Sequence, residues 1–220
     1  MIKAVLFDMD GVLVNTETFY IQALIEILLE EIGVNLTEKE VGKYAGLIYT
    51  EKLKGIFKER NIKGDPYEIA EKSRRRFLQI IKGKIELLPG AKDLLDQLFS
   101  SEIKLGLVSS SKRMVVDLVL KETKVHDFFD VIVTQDDVKN LKPHPEPYLL
   151  ASRKLNVKPE ECVVIEDSEH GILSAKSAGM KCIALANPHL PVSKYSKADL
   201  VVRELMEIKL ETILSLVERT

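Results

Sequence analysis

The chain has 220 residues, of which 45% are hydrophobic and 30% charged, a balance typical of a globular protein with an apolar core. Its formal net charge is −2, from 32 basic and 34 acidic side chains, so neither nucleic acid nor an anionic membrane is an expected partner. No apolar run in the sequence is long enough to cross a bilayer, and the first residues lead directly into a predicted strand, which leaves no room for a signal peptide.

Short apolar runs recur along the chain, each followed by a polar loop and a helical pattern. Most of these runs are continuous rather than alternating, which is typical of strands buried on both faces of a parallel sheet. The predicted strands are residues 2–7, 104–108, 131–133, 163–165, 182–186 and 200–202. Amphipathic stretches predict helices at residues 90–101, 112–123, 146–155, 169–178 and 204–218. This alternation predicts an α/β fold with a doubly wound, Rossmann-like parallel sheet.

One segment, residues 15–86, does not follow this alternation of strands and helices, because it contains no strand pattern. It shows helical patterns at residues 17–32, 37–43, 50–60 and 66–82, separated by turn residues such as Gly33 and Gly46. The simplest interpretation is a helical insert after the first strand. The chain then rejoins the sheet near residues 88–90.

The predicted strands deliver a set of polar side chains where they end. These are carboxylates, hydroxyls and one lysine: Asp8, Asp10, Ser109, Ser110, Ser111, Lys142, Glu166 and Asp167. In a doubly wound sheet the carboxyl ends of the strands share one edge, and ligands bind in the crevice beyond it. We therefore expect these side chains to converge on one site.

The four carboxylates of this set predict a metal site. Asp8 and Asp10 are two residues apart, so they point to the same side of an extended backbone, and Gly11 then allows a turn. Glu166 and Asp167 in the same crevice would repel them unless a cation were present. Oxygen ligands without a nearby His or Cys select a hard ion, and Mg²⁺ is the usual one where phosphate completes its coordination.

The same side chains suit phosphoryl transfer. An aspartate next to a phosphorus atom is a suitable nucleophile, since carboxylates form aspartyl-phosphates, and a second aspartate can move the protons. Ser109 and backbone N–H groups can bind phosphate oxygens, while Lys142 supplies positive charge. Any one of these residues could instead be a solvated loop residue or a helix N-cap. Two aspartates directly after an apolar strand favour function, because burying like charges gains nothing for folding.

Four segments resemble the motifs of the haloacid dehalogenase superfamily of phosphatases, in particular the branch that contains β-phosphoglucomutase. They are residues 7–13, 108–111, 142–143 and 165–168, in the order and at the spacing of that family. The resemblance implies Asp8 as nucleophile and metal ligand, and Asp10 as acid/base that also offers its carbonyl to Mg²⁺. It implies Asp167 as a direct metal ligand and Glu166 as a ligand bound directly or through water. The phosphoryl group would be held by Ser109, Ser110 and Lys142.

The resemblance also implies that residues 15–86 form a cap domain that selects the substrate, while residues 1–14 and 87–220 form the catalytic core. In the β-phosphoglucomutase pattern the cap carries a His after the first motif, and a Lys and an Arg around a loop glycine. At the matching positions this chain has Tyr20, Ala45 and Tyr49, with Gly46 retained. These lost charges favour a phosphatase over a mutase. Arg74, Arg75 or Arg76 could replace part of these charges, and Arg75 is the candidate substrate contact among them.

Three hypotheses follow for the function. The favoured one is a phosphatase that hydrolyses a small phosphorylated metabolite through an aspartyl-phosphate. The second is a sugar-phosphate mutase that uses the same intermediate. The third is a non-catalytic phospho-acceptor similar to a response-regulator receiver, although receivers are shorter and lack a cap. We expect Mg²⁺ as the cofactor, a small phosphorylated metabolite as the partner, a cytoplasmic location and a monomer.

Overall fold

The computed structural model describes residues 1–44, 49–187 and 191–216, and only the backbone of Tyr49. The chain divides into two compact units, one formed by Met1–Asn15 with Glu86–Thr220 and the other by Thr16–Ile85. The first unit contains the sheet, and the second is helical. Among the helices in the described ranges, none is both long enough and apolar enough to cross a membrane.

The sheet unit contains parallel strands throughout: β1 (Ala4–Phe7), β2 (Lys104–Val108), β3 (Val131–Val133), β4 (Cys162–Glu166), β5 (Lys181–Leu185) and β6 (Leu200–Val202). Their order across the sheet is β3-β2-β1-β4-β5-β6. The order reverses beside β1, so the carboxyl ends of β1 and its neighbours β2 and β4 border the crevice of a doubly wound fold. The predicted α/β class and parallel sheet are confirmed.

The helical unit consists of α1 (Glu17–Ile32), α2 (Glu38–Gly42), α3 (Tyr49–Glu59) and α4 (Pro66–Ile81). Helix α1 ends at Gly33, whose left-handed backbone (φ 65°) lets its N–H bond back to the carbonyl of Leu29. Helix α4 begins after Asp65, whose side chain accepts the N–H of Tyr67 at 2.8 Å. The apolar faces form a buried cluster of their own, which includes Leu24, Leu28, Leu53, Phe57 and Ala70.

The other described helices belong to the sheet unit: α5 (Ala91–Phe99), α6 (Arg113–Thr123), α7 (Glu146–Lys154), α8 (Glu169–Ser177) and α9 (Leu210–Ser215). Helices α7 and α8 pack on one face of the sheet, where Tyr148 and Ile172 share a buried cluster with Leu6 and Val164. Val5 is equally buried and, because side chains alternate along a strand, faces the opposite side. Both faces of the sheet are therefore covered, which explains the continuous apolar strands.

The predicted C-terminal helix at residues 204–218 is wrong in one respect. The structure has a 3₁₀ turn at Leu205–Glu207 and a separate helix, α9, that begins at Leu210. The carboxylate of Glu207 accepts the backbone N–H groups of Arg203 and Glu204 at 2.7 and 2.9 Å, so it closes the short turn. The boundaries of the other predicted strands and helices agree with the structure to within two residues; β1, for example, begins at Ala4 rather than at residue 2.

Candidate active site

The register of the sheet places two acidic residues side by side at its carboxyl edge. Phe7 at the end of β1 pairs with Ile165 of β4, and the N–H of Asp8 bonds to the carbonyl of Ile165 at 3.0 Å. The next residues on the two strands, Asp8 and Glu166, are therefore neighbours. Asp8 is 8% exposed and Glu166 is fully buried. Two buried carboxylates in contact need a compensating charge.

Lys142 supplies that charge. Its Nζ donates to Asp8 Oδ1 and to Glu166 Oε1, both at 2.6 Å, and to the carbonyl oxygen of Val108 at 2.9 Å. Three acceptors thus satisfy the three protons of the ammonium group, which is itself buried. The loop before α7 therefore brings one cation to the ends of β1, β2 and β4 at once.

The pKa values of these groups show how strongly they interact. Burial raises the pKa of Asp8 to about 8, against the opposing effect of Lys142. Burial by itself would lower the pKa of Lys142, but the charges of Asp8 and Glu166 outweigh it and raise that pKa above its ordinary value. Burial by itself would also raise the pKa of Glu166, but the charge and hydrogen bond of Lys142 hold it below its usual range. Lys142 and Glu166 therefore form the stable ion pair, and Asp8 carries the unfavourable charge.

Asp167 completes an acidic cluster. Carboxylate oxygens of Asp8, Glu166 and Asp167 lie within 4.8 Å of one another. Gly11 makes this possible, because a Cβ at that position would lie 2.0 Å from Asp167 Oδ2. Gly11 also has a left-handed backbone (φ 85°), which a residue with a side chain adopts with strain. The turn after β1 is thus shaped around the carboxylate of Asp167.

The cluster fits a hard divalent cation. All its donors are carboxylate oxygens, which Mg²⁺ prefers. Burial, followed by the charges of Glu166 and Asp8, raises the pKa of Asp167 well above its usual range, and a cation would offset that cost. Glu166 differs from the other two because its oxygens accept hydrogen bonds from Lys142, Tyr148, Ser168 and the N–H of Asp167. That arrangement favours Asp8 and Asp167 over Glu166 as direct ligands.

The serines after β2 lie beside the second aspartate. Ser111 Oγ donates to Asp10 Oδ2 at 3.0 Å, and the N–H of Ser111 bonds to Ser109 Oγ at 3.0 Å. Ser109 is buried, and its oxygen accepts that N–H, so its hydroxyl proton can go to another acceptor. Ser110 is half-buried next to it. The first and second motifs are therefore joined by a direct contact between Asp10 and Ser111.

Tyr148 was not among the residues singled out from the sequence. Its hydroxyl donates to Glu166 Oε1 at 2.8 Å, and Lys142 Nζ lies 4.8 Å from the centroid of its ring. The side chain is fully buried, and burial raises its pKa well above the ordinary value, so it stays a neutral donor. In sequence, Tyr148 lies on the apolar face of an amphipathic helix, a pattern that indicates only a core residue.

The candidate substrate contacts of the cap belong to the helical unit. The ring of Tyr20 stacks on Phe77, with centroids 3.7 Å apart and planes 6° apart. Arg75 is exposed on α4. Tyr49 begins α3, but its side chain is outside the described residues, and so is Gly46. The neighbours of Arg75 have partners within the helical unit: Arg74 binds Glu71, and Arg76 binds glutamates of α1.

Comparison with known proteins identifies the family. Residues 5–185 match the sequence model of the haloacid dehalogenase-like hydrolases, which covers most of the chain. The chain therefore belongs to the haloacid dehalogenase-like hydrolase family, as the four motifs predicted. In the sheet unit, three of these motifs lie at the ends of the strands β1, β2 and β4, and the motif at residues 142–143 lies in the loop before α7.

The relatives include phosphatases and mutases. A phosphorylated carbohydrates phosphatase of Thermotoga maritima is 38% identical over 186 residues, covering 82% of this chain and 83% of that protein. The β-phosphoglucomutase of Bacillus subtilis is 33% identical over 227 residues, covering 96% and 93%. Among solved structures, β-phosphoglucomutase from Clostridium difficile aligns with a TM-score of 0.84 at 31% identity, covering 99% of this chain and 98% of that one. The chain is thus similar to enzymes that act on small phosphorylated compounds.

Proposed function

We propose that this protein is a Mg²⁺-dependent phosphatase that hydrolyses a small phosphate monoester, such as a sugar phosphate, through an aspartyl-phosphate on Asp8. The observation that carries the proposal is the contact of Asp8 with Lys142 at 2.6 Å, beside the carboxylate of Asp167. A buried lysine there offsets negative charge where a phosphoryl group would meet the nucleophile. The similarity to a phosphorylated carbohydrates phosphatase supports the same substrate class.

The proposed reaction has two chemical steps. A carboxylate oxygen of Asp8 attacks the phosphorus and forms a P–O bond, while the P–O bond of the ester breaks and Asp10 gives a proton to the leaving oxygen. Asp10 then takes a proton from a water molecule, whose oxygen attacks the same phosphorus, so that Asp8 is regenerated and inorganic phosphate leaves. The hydrogen bond from Ser111 orients Asp10 for both proton transfers. The hydroxyl of Ser109 holds a phosphoryl oxygen, and the positive charge of Lys142 attracts the phosphoryl group.

Asp8 and Asp167, with the backbone carbonyl of Asp10, are the groups that we assign to holding Mg²⁺. When bound, the ion would offset the negative charge of the phosphoryl oxygens. The residues around the cluster prepare this position in two ways: Gly11 leaves room for Asp167, and Lys142 keeps Glu166 in its hydrogen-bonded place.

The proposal is tested by phosphate release from p-nitrophenyl phosphate and from a panel of phosphorylated metabolites, with MgCl₂ in large excess over the protein. Wild-type protein should turn over at least one substrate, and the matched Asp8→Asn protein should not. If wild-type protein releases no more phosphate than the Asp8→Asn protein on every substrate, the proposed function is wrong.

The second candidate function is a sugar-phosphate mutase, which the likeness to the β-phosphoglucomutase structure favours. Against it, Tyr20, Ala45 and Tyr49 stand where the mutase pattern has charged or imidazole side chains. The test supplies β-glucose 1-phosphate with catalytic β-glucose 1,6-bisphosphate and follows both phosphate release and glucose 6-phosphate formation. If isomerisation exceeds hydrolysis about a hundredfold, a difference of nearly 3 kcal/mol in barrier, the mutase hypothesis replaces ours.

We also assign substrate selection to the helical unit, with Tyr20, Gly46, Tyr49 and Arg75 as candidate contacts. Exposure of Arg75 supports it as a group available to an anionic substrate. Arg75→Ala should raise KM for the preferred metabolite while leaving kcat/KM for p-nitrophenyl phosphate unchanged, because the small ester lacks a distal anionic group. An equal effect on both substrates would remove Arg75 from the substrate contacts.

A further inference from the structure

Both carboxylate oxygens of Glu166 accept hydrogen bonds from several groups of the protein. The side chain is fully buried at the end of β4. Its Oε1 accepts from Lys142 Nζ at 2.6 Å and from the hydroxyl of Tyr148 at 2.8 Å. Its Oε2 accepts from the N–H of Asp167 at 3.1 Å and from the N–H and hydroxyl of Ser168 at 3.2 and 3.0 Å. Both oxygens are therefore fixed from several directions.

Space for this carboxylate is provided by a glycine inside a helix. A Cβ at Gly171 of α8 would lie 1.7 Å from Glu166 Oε1 and 2.2 Å from Oε2. Glycine is a weaker helix former than alanine, and the backbone of Gly171 shows no left-handed conformation that would require glycine. The N–H of Gly171 also bonds to the hydroxyl of Ser168, which itself holds Glu166. A glycine at this position therefore leaves the space that the carboxylate of Glu166 occupies.

Tyr148 contacts both members of the ion pair. Its hydroxyl bonds to Glu166, while its ring face lies 4.8 Å from the ammonium of Lys142, a favourable arrangement for a cation and an aromatic ring. The same ammonium bonds to Asp8. A continuous chain of contacts therefore runs from Tyr148 through Glu166 and Lys142 to the residue that we assign as nucleophile.

We propose that Tyr148 and Gly171 are positioning residues for phosphoryl transfer, which act through Glu166 to hold the ammonium of Lys142 against Asp8. Neither touches the reacting atoms. Tyr148 restrains Glu166 and Lys142 from the side of α7, and Gly171 keeps the space that Glu166 occupies. The kinetic part of this inference rests on the proposed phosphatase function, whereas its geometric part does not.

The first test replaces Gly171 by Ala, with Gly42→Ala as the matched control, because an added Cβ at Gly42 meets nothing within 4 Å. Crystal structures of both variants measure the distance from Lys142 Nζ to Asp8 Oδ1. We expect Gly171→Ala to displace Glu166 and lengthen that distance beyond hydrogen-bonding range, and Gly42→Ala to leave it unchanged. If the distance is unchanged in Gly171→Ala, the proposal is wrong, whatever the enzyme activity.

The second test replaces Tyr148 by Phe, which keeps the ring and removes the hydroxyl. We expect kcat to fall about tenfold with KM nearly unchanged, because an ammonium held less firmly affects the transition state more than substrate binding. In the Glu166→Gln background the same change should cost much less, since the hydroxyl acts through Glu166. Equal fractional losses in both backgrounds would overturn the proposal.

Thermal unfolding of each variant checks that lower activity is not loss of fold. Two outcomes then separate failure of this inference from failure of the proposed function. If wild-type protein hydrolyses no phosphate ester, the proposed function fails, and the crystallographic distance in Gly171→Ala alone decides the positioning role. If wild-type protein is active and Gly171→Ala keeps its full kcat, the positioning role fails while the phosphatase stands.

Discussion

Lys142 Nζ donates to Asp8 Oδ1 at 2.6 Å, although the two residues are 134 positions apart in the sequence. Both side chains are buried, so the contact replaces water for each of them. Glu166 accepts from the same ammonium, which leaves one cation between two carboxylates. Ionisation of both carboxylates would leave the group with a net negative charge, so binding of an anionic phosphate by the ionised site requires further positive charge.

Replacement of Asp8 by Asn should abolish turnover while preserving the fold. An amide cannot attack phosphorus, so kcat should fall by about 10³-fold or more, and no labelled phosphoenzyme should form from a ³²P-labelled substrate. Burial raises the pKa of Asp8 to about 8, so ionisation of this group in the folded protein is unfavourable; an amide does not ionise, and we expect Tm to equal or exceed that of wild type. An Asp8→Asn protein that retains most of its activity would contradict the mechanism.

Replacement of Lys142 by Met should damage both stability and activity. It leaves Asp8 and Glu166 in contact without their cation, and an uncompensated buried charge costs about 3–5 kcal/mol. The free energy of unfolding should fall by that amount in urea titrations at pH 7. As a control, Lys54→Met removes an exposed partner of Glu51 and should leave the free energy of unfolding nearly unchanged, because solvent screens an exposed ion pair. Similar losses in the two variants would show that the Lys142 ion pairs contribute little.

Replacement of Asp167 by Asn should remove the response to Mg²⁺. Chelation should abolish wild-type activity and Mg²⁺ should restore it, with Ca²⁺ a poor substitute because it prefers a larger, looser coordination. Mg²⁺ at about a hundred times its Kd should stabilise wild-type protein by about 2.7 kcal/mol.

The outcome of that experiment is read from Tm as well as from activity. Asp167→Asn should show no shift in Tm on addition of Mg²⁺, whereas Glu166→Gln should keep part of it, because Glu166 is engaged by Lys142 and Tyr148. If wild-type protein is fully active in excess chelator, or if Asp167→Asn binds Mg²⁺ as well as wild type does, the assigned metal site is wrong.

Replacement of Ser111 by Ala should slow the chemical step. Ser111 donates to Asp10 at 3.0 Å, so without it the proposed acid/base is less well oriented. Loss of one hydrogen bond to a charged group is worth about 1.5 kcal/mol, so kcat should fall about tenfold while KM changes little. Ser100→Ala, at an exposed helix end, is the matched control and should leave kcat unchanged. An unchanged kcat in Ser111→Ala would exclude this orienting role.

Asp199, which is not one of the candidate active-site residues, makes a contribution to stability that depends on pH. Burial by itself would raise the pKa of Asp199, but hydrogen bonds from Lys176 and from the N–H of Cys182 hold it below its ordinary value. A depressed pKa stabilises the fold above the unfolded value of about 3.9, and this contribution is lost as the pH falls through the folded pKa. Asp199→Asn should therefore cost about 1–2 kcal/mol at pH 7 and progressively less below about pH 3.9.

The measurement is urea unfolding of wild-type protein and of Asp199→Asn at pH 7, 5 and 3, spanning the ordinary carboxyl pKa of about 3.9. The difference should be equal at the two higher values and smaller at the lowest. A constant difference at all three would show that the charge of Asp199 is not what stabilises the contact between α8 and β5.

The arrangement of strands and the position of the site could be predicted from the residues alone. Continuous apolar runs alternating with amphipathic ones leave few options other than a parallel sheet, and parallel strands end at a common edge. Asp8, Ser109, Glu166 and Asp167 follow strands directly, so their meeting follows from topology. Lys142 lies in the loop after the third predicted strand, and that loop leaves the sheet at the same edge.

Contacts that depend on three-dimensional packing could not be predicted in this way. Tyr148 has the periodicity of a core residue, and only the approach of α7 to β4 brings its hydroxyl to Glu166. In the sequence, Gly171 is an ordinary glycine within a helical pattern. Only the structure shows that a Cβ there would lie 1.7 Å from a carboxylate oxygen of Glu166, which belongs to β4. The break between Leu205–Glu207 and α9 is a different case, because it depends on local hydrogen bonds to the Glu207 carboxylate, which the apolar periodicity does not record. Local patterns encode which face is apolar and where a strand ends, whereas hydrogen-bond partners and free space are set by neighbours distant in the chain.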